Sequence, residues 1–135
     1  MTADTPCLII TTTASADEAD AIARALVDER LVACCSVSGP VRSTYRWEGR
    51  TVQDEERMLF MKTIRQRYPD VESRIRALHS YEIPEIICLP VQEGFEPYLR
   101  WLHGSVVPEG SAEASPGSTS PSAGTTGKNT FDGSS

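Results

Sequence analysis

HSYEIPEIICLPV, residues 79–91, joins a predicted helix to a predicted strand through a turn that contains a proline. Its first seven residues offer an imidazole, a phenol and two carboxylates, on His79, Tyr81, Glu82 and Glu85. Pro84 fixes its own φ and disfavours helical backbone at the residue before it, so the turn is stiff. Residues 86–89 form an apolar run with the length of a strand buried on both faces. Polar side chains on a stiff loop beside a buried strand are typical of functional sites, and a solvated turn is the alternative.

Before this segment, the apolar pattern changes from strand to helix and back to strand. Residues 7–12 are short, β-branched and apolar, which predicts a first strand. Ser15 followed by Glu18 fits a capping box, and apolar residues at helical spacing from 17 to 30 predict a helix with one apolar face. Residues 31–37 return to strand character.

The second predicted strand continues into a long hairpin. Gly39-Pro40 indicates a bend or bulge, after which residues 41–47 alternate between an aromatic and a basic face. Glu48-Gly49 predicts a tight turn, and residues 51–63 run back. Because a monomer with so long an exposed edge would tend to aggregate, we expect an oligomer in which the subunits cover each other's hairpins.

Two further helices complete the predicted order of elements. Pro69 is well placed to begin the second helix, and the third helix follows Pro97. The apolar stripe of the second helix is Val71, Ile75 and Leu78, and the packing side of the third is Tyr98, Leu99, Trp101 and Leu102. The order β-α-β-β-α-β with a terminal helix predicts an α+β, ferredoxin-like sandwich, an antiparallel sheet with its helices on one face.

Composition divides the chain of 135 residues into a folded part and a tail. From residue 108 onward, 19 of 28 residues are Ser, Gly, Thr or Pro, and Phe131 is the only aromatic residue. Such a segment has too little apolar surface to offset the entropy of ordering. We therefore expect one domain over residues 1–106 and a disordered tail over residues 107–135.

Net charge and cysteine usage argue against several classes of function. A net charge of −6 disfavours nucleic acid or an anionic membrane as the main partner, and no apolar run is long enough to span a membrane. The first strand lacks the aromatic residues of RNA-binding modules with this fold. We see no secretory signal in the first six residues, and the four cysteines have no CxxC spacing. Reduced thiols in a cytoplasmic protein without a structural zinc site are expected.

Motifs across residues 7–104 resemble the CutA family of divalent-cation-tolerance proteins. They are LVAC at 31–34, YRWEG at 45–49, KT at 62–63, HSYEIPEI at 79–86 and Tyr-Leu-x-Trp at 98–101. The resemblance implies a ferredoxin-like fold similar to the PII signalling proteins, and a homotrimer whose hairpins pair between subunits. It also implies a non-enzymatic protein that binds copper(II) or other divalent cations and serves metal tolerance.

The metal ligands that the resemblance implies are His79 and Glu85. Imidazole nitrogen and carboxylate oxygen suit copper and other divalent transition metals. Some family members also use a Cys at the end of the first strand, where this chain has Thr11-Thr12, and Ser80 stands where the family usually has Pro. The alternative role for His79 is to stabilise the C-terminus of a helix.

Six further residues are candidates for a ligand site or a subunit interface: Lys62, Tyr45, Trp47, Tyr81, Glu56 and Cys34. Lys62 is expected on the same strand face as Met58 and Phe60, where an ammonium needs a carboxylate partner or an anionic ligand. This leaves a second function open, a PII-like signalling or small-anion-binding module with its ligand in the cleft between subunits. Because the sequence shows no nucleophile–base pattern and no Gly-rich phosphate loop, we expect no catalytic residues.

Overall fold

The structure, a computed structural model, describes residues 1–108, so the predicted tail lies outside the described residues from residue 109 onward. The strands are β1 Pro6–Thr13, β2 Cys34–Trp47, β3 Arg50–Ile64 and β4 Ile87–Pro90. The helices are α1 Ala16–Asp28, α2 Tyr68–Leu78 and α3 Glu96–Val106, with a short 3₁₀ turn, Arg65–Arg67, before α2. None of the helices in this part of the chain is long and apolar enough to cross a membrane.

The four strands form one antiparallel sheet in the order β2-β3-β1-β4. β1 lies between β3 and β4, and its Ile9 is opposite Met61 on one side and Cys88 on the other. Two strands that are distant in sequence therefore flank the first strand. This arrangement confirms the predicted α+β, ferredoxin-like class.

α1 and α2 cover one face of the sheet and form the main core with it. The fully buried members of this core are Ile9, Leu59 and Met61 from the sheet, Ala19, Ile22 and Leu26 from α1, and Val71 and Ile75 from α2. Burying each large aliphatic side chain contributes about 1.5–3 kcal/mol. Leu78, the last residue of α2, is 36% exposed, so the predicted apolar stripe stops at Ile75.

The connection from α1 to β2 differs from the prediction. The backbone N–H groups of Leu31 and Val32 donate to the carbonyl of Leu26, at 3.0 and 3.4 Å. These bonds turn the chain back on the end of α1, so β2 begins at Cys34 and residues 31–33 lie outside the strand. Leu31 and Val32 are nevertheless buried, which explains their strand-like apolar character.

The opposite face of the sheet is covered by α3 at one end only. There Leu102 and Val106 pack with Ile64, which alternation places on the other side of β3 from Met61. The prediction that the helices lie on one face therefore holds for α1 and α2 but is wrong for α3. Trp101, which was predicted on the packing side of α3, is 43% exposed.

Away from α3, this second face is apolar and has no helix over it; we call it the open face. Its apolar residues include Leu8, Ile10, Met58, Phe60, Ile87 and Leu89. Ile87 and Leu89 are 45% and 42% exposed, whereas Cys88 between them packs against the main core. The expectation that this strand is buried on both faces is therefore wrong for a single chain.

β2 and β3 extend as a hairpin beyond the rest of the sheet. The predicted irregularity is a register shift between Val37 and Pro40. The predicted turn is confirmed at Glu48-Gly49, where both residues have positive φ, of 49° and 78°. β1 pairs with β3 only as far as Arg57, so residues 50–56 of β3 have β2 as their single strand partner.

Candidate functional site

A groove of about 670 Å³ opens between the hairpin and the loop that follows α2; we call it the hairpin groove. It is lined by Thr12, Ser43, Thr44, Tyr45, Trp47, Glu56, Tyr81, Glu82, Ile83, Pro84 and Glu85. The structure thus brings together six of the residues singled out from the sequence, which are Tyr45, Trp47, Glu56, Tyr81, Glu82 and Glu85. Their strand members lie toward the hairpin end of the open face, as the pairing of Glu56 with Val41 and of Tyr45 with Val52 shows.

A buried carboxylate lies in the wall of the groove. Glu56 is 7% exposed, and its Oε2 accepts hydrogen bonds from the Tyr81 hydroxyl at 2.7 Å and the Thr12 hydroxyl at 3.5 Å. Burial, reinforced by the hydrogen bond to Glu56, raises the pKa of Tyr81 above its usual value, so this phenol is neutral at physiological pH. The Tyr81–Glu56 bond therefore ties the loop to the hairpin.

Two aromatic side chains of β2 project beside this carboxylate. Tyr45 and Trp47 are 39% and 49% exposed. The Tyr45 hydroxyl donates to Asp54 on the facing strand, and this hydrogen bond raises the pKa of Tyr45. This bond to Asp54 fixes Tyr45 within the hairpin. The rings of Tyr45 and Trp47 both expose apolar surface to solvent.

The imidazole of His79 is buried behind the groove, with its ring centroid 4.8 Å from that of Tyr81. Its Nε2 lies 2.6 Å from the carbonyl oxygen of Thr12 and carries the proton, because a carbonyl can only accept. Its Nδ1 accepts the backbone N–H of Tyr81 at 3.0 Å, so the ring is neutral. His79 therefore joins the end of β1 to the loop, and both of its nitrogens have partners within the chain.

A residue of α1 that sequence analysis did not assign to the site also contacts this loop. The Glu18 carboxylate accepts the Ser80 backbone N–H at 2.7 Å and its hydroxyl at 3.1 Å, and lies 3.5 Å from Nδ1 of His79. Ser15 caps α1 as predicted, accepting the Glu18 N–H at 3.1 Å. The capping box was the only sequence signal at Glu18, and its side chain bonds the loop instead of the start of its own helix.

Two other predicted candidates lie far from the groove. Lys62 is opposite Cys34 on β2 and six positions along β3 from Glu56, on the order of 20 Å at the rise of a strand. The Cys34 sulfur lies 3.6 Å from the Tyr98 hydroxyl of α3. Within residues 1–108, no carboxylate lies within 4.0 Å of the Lys62 ammonium, so Glu56 and Glu85 do not pair with it.

The donor types near the groove suit a divalent cation, but a single chain forms no complete set of ligands. In the part of the chain that the structure describes, no three His, Cys, Asp or Glu side chains are grouped to hold a metal ion. Glu85 is exposed on the groove, whereas a metal on Nδ1 of His79 would have to replace the Tyr81 N–H. Metal ligation by His79 thus requires the loop to shift.

Comparisons with known proteins agree with this fold. A protein named divalent-cation tolerance protein CutA from Thermus thermophilus is 43% identical over 95 residues, which cover 70% of this chain and 92% of that protein. Protein CutA from Mus musculus is 40% identical over 82 residues, 61% of this chain but only 46% of the mouse protein. The solved structure of the periplasmic divalent cation tolerance protein CutA from Archaeoglobus fulgidus superposes with a TM-score of 0.73 at 31% identity, covering 75% of this chain and 98% of that one.

The match to a family of proteins covers nearly all of the described residues. Residues 7–105 match the family of CutA1 divalent ion tolerance proteins. This range runs from β1 to the last turn of α3 and includes the hairpin, the loop after α2 and the open face. The chain therefore belongs to the CutA1 divalent ion tolerance protein family.

Proposed function

We propose that this protein binds divalent cations, copper(II) among them, and serves divalent-cation tolerance without catalysing a reaction. The names of its relatives support the role in divalent-cation tolerance. The observation that carries it is that Glu82 and Glu85 line the same groove as Tyr81, whose ring centroid lies 4.8 Å from that of the buried His79 imidazole. Carboxylate oxygen and neutral imidazole are donors that copper(II) accepts readily.

In this proposal Glu85 and His79 are the metal ligands. The hydrogen bond from Nε2 to the Thr12 carbonyl fixes the imidazole in the way that outer partners commonly fix metal-binding histidines. Nδ1 is then the coordinating atom, with the Glu18 carboxylate 3.5 Å away as a further donor. Because the metal displaces the Tyr81 N–H from Nδ1, binding is coupled to movement of the loop, and we expect moderate rather than tight affinity.

Native mass spectrometry during a Cu²⁺ titration tests this assignment, with His103→Ala as the matched control for His79→Ala. His103 is the second histidine of the chain and contacts Asp4 at the surface, away from the groove. We expect about one copper per subunit, lost in His79→Ala and retained in His103→Ala. Affinity should fall as the pH drops and the imidazole protonates. Equal uptake by all three proteins would overturn the ligand assignment.

We also propose that the functional form is a homotrimer. The open face exposes Ile87 and Leu89, and residues 50–56 of the hairpin have one strand partner only. Two-stranded ribbons are marginal on their own, so both features favour cover by another copy of the chain. Light scattering coupled to size exclusion measures the mass directly, and a monomer at micromolar concentration would contradict the trimer.

The cytoplasm is the compartment that we propose for this protein. All four cysteines are free thiols, which is the state that a reducing compartment maintains. Relatives are named periplasmic in Archaeoglobus fulgidus and chloroplastic in Arabidopsis thaliana. Cell fractionation followed by thiol labelling tests the assignment, since oxidised thiols in a periplasmic fraction would contradict it.

One observation supports the alternative of a small-anion-binding module of the PII type. Lys62 lies on the open face without a carboxylate within 4.0 Å in the described chain, so its ammonium is available to an anion where subunits meet. Binding of an anionic metabolite that depends on Lys62 and is indifferent to His79→Ala would favour this function over metal binding.

A further inference from the structure

Two of the free thiols, those of Cys7 on β1 and Cys88 on β4, lie side by side on the sheet face that α1 and α2 cover; we call them the thiol pair. Cys88 is opposite Ile9 and Cys7 is opposite Pro90, so the two cysteines are diagonal neighbours on adjacent strands. Cys7 is fully buried, and Cys88 packs against the main core. Because helices of the same subunit cover this face, the thiol pair does not depend on how other subunits cover the open face.

The spacing of the thiol pair suits a bridging metal ion better than a disulfide. The Cα atoms of diagonal neighbours are about 7–8 Å apart, beyond the range of about 4.4–6.8 Å that disulfides usually span. A metal ion between two sulfurs separates them by about 4.6 Å, twice the metal–thiolate bond of about 2.3 Å. The two thiols do interact, because burial, reinforced by a hydrogen bond with Cys88, raises the pKa of Cys7 to about 12. The sulfurs are therefore close enough to share one ion while the backbone keeps them apart.

The type and number of ligands select the metal. Thiolate sulfur is a soft ligand that favours copper(I) and zinc. Structural zinc takes four protein ligands, whereas within residues 1–108 no three His, Cys, Asp or Glu side chains are grouped to hold a metal ion. Copper(I) is stable with two sulfur ligands in line, so it is the ion that the thiol pair suits.

A cation beside the thiol pair balances the charge of such a site. Each thiol releases its proton to solvent as its sulfur binds copper(I), which leaves two thiolates, one monovalent cation and a net charge of minus one. The Arg65 guanidinium acts on Cys7 from the 3₁₀ turn, where it opposes the rise in the pKa of that thiol. The Arg65 backbone N–H donates to the Thr5 carbonyl at 2.9 Å, which holds this turn beside the start of β1. A nearby guanidinium lowers the cost of burying a negative charge.

We propose that Cys7 and Cys88 form a two-coordinate copper(I) site, with Arg65 balancing its charge. This site goes beyond the copper(II) assignment, since it shares no ligand with His79 and Glu85. Its ligands also lie on the opposite face of the sheet from the aromatic residues of the hairpin groove.

Anaerobic competition with bathocuproine disulfonate, whose copper(I) complex is coloured, tests this proposal on the full-length protein in the presence of ascorbate. We expect one copper(I) per subunit, lost in Cys88→Ala and in Cys7→Ala. Cys88 is half-buried, so its replacement by alanine should leave folding intact even if Cys7→Ala does not. The matched control is Cys35→Ala, because Cys35 also packs against the main core but lies on β2, at the other edge of the sheet.

X-ray absorption at the copper edge gives a second readout and should show two sulfur ligands and no nitrogen ligand. The proposal is overturned if no copper(I) is taken up, if Cys88→Ala retains it, or if Cys35→Ala loses it as Cys88→Ala does. His79→Ala should retain copper(I), and its loss there would place the ion at the hairpin groove instead. Failure of the Cu²⁺ titration would leave this result unaffected, because the two oxidation states are tested on separate ligands.

Discussion

The two faces of the sheet differ in how completely a single chain buries their side chains. On the covered face, Leu59 and Met61 are completely buried under α1 and α2. On the open face, Ile87 and Leu89 remain nearly half exposed, and the hairpin groove leaves carboxylates and aromatic rings in contact with solvent. The covered face therefore holds the fold together, whereas on the open face apolar and charged groups stay in contact with solvent in a single chain.

Leu59 and Phe60 are neighbours on β3 but point to opposite faces of the sheet, so substituting each in turn is the most direct test of the difference between the faces. Leu59→Ala should lower the free energy of unfolding by about 2–5 kcal/mol, since it leaves a cavity in the main core. Phe60→Ala should cost less within a subunit but make the unfolding midpoint depend more strongly on protein concentration. Urea denaturation at several concentrations measures both effects.

Equal losses for the two variants, with the same concentration dependence, would show that the open face is packed within the subunit. The comparison between the faces would then be wrong.

The tie between the loop and the hairpin gives the next largest effect. Tyr81→Phe removes a hydrogen bond to the buried Glu56 carboxylate and should cost about 1.5–3 kcal/mol. Tyr45→Phe is the matched control, because its hydroxyl bonds Asp54 at an exposed position and its loss should cost much less. Thermal unfolding of the two variants measures the difference.

If Tyr45→Phe lowered the stability as much as Tyr81→Phe, the exposure of a hydroxyl would not determine how much its hydrogen bond contributes. The hairpin would then be as rigid as the core of the subunit.

Sequence patterns predicted the start of α1 and the form of the hairpin well because their signals are local. The capping residue Ser15, the turn at Glu48-Gly49 and the bulge near Pro40 each depend on a few adjacent residues. Periodicity found the apolar run at residues 86–89 but not which side of it a helix covers. A strand with one open face therefore looked like a strand buried on both.

The candidate site was predicted only in part, because its contacts are long-range. His79 bonds the carbonyl of Thr12, 67 residues earlier, and Glu18 bonds Ser80, 62 residues later. Neither contact leaves a local signal, since any backbone carbonyl can accept from an imidazole and Glu18 also fits a capping box. Tyr45, Tyr81 and Glu56 were each singled out, but the paired register of β2 and β3 is needed to place Tyr45 and Glu56 on one groove, and a long-range hydrogen bond to Glu56 brings Tyr81 there.

The pH dependence of stability at alkaline pH gives a further test of the covered face, because β2 places the Cys35 thiol on that side of the sheet. Burial raises the pKa of Cys35 from 9.0 to about 12. Between pH 9 and 12 the thiol keeps its proton in the folded chain but has lost it in the unfolded chain. The contribution of Cys35 to the free energy of unfolding is therefore fully present below pH 9 and is lost as the pH rises toward 12. The slope for this group should reach at most about 1.4 kcal/mol per pH unit.

Denaturation of Cys35→Ala across this pH range isolates the contribution of the thiol. Its free energy of unfolding should depend less on pH than that of the unsubstituted protein. If the free energy of unfolding of Cys35→Ala depended on pH as strongly as that of the unsubstituted protein, Cys35 would be accessible to water. The covered face would then not include the start of β2.

The smallest expected effect concerns what holds the helix layer over the covered face. The Arg74 guanidinium of α2 makes three hydrogen bonds to the Glu29 carboxylate after α1, at 2.9, 3.1 and 2.8 Å, and both side chains are 39% exposed. Water screens a pair at this exposure, so Arg74→Ala should cost about 0.2–1 kcal/mol. Most of the attachment of α1 to α2 then comes from Ile22, Leu26 and Ile75 beneath them. Denaturation of Arg74→Ala at low and high salt tests this. A loss of stability larger than about 1 kcal/mol that disappears at high salt would show that electrostatic attraction also holds α1 and α2 together.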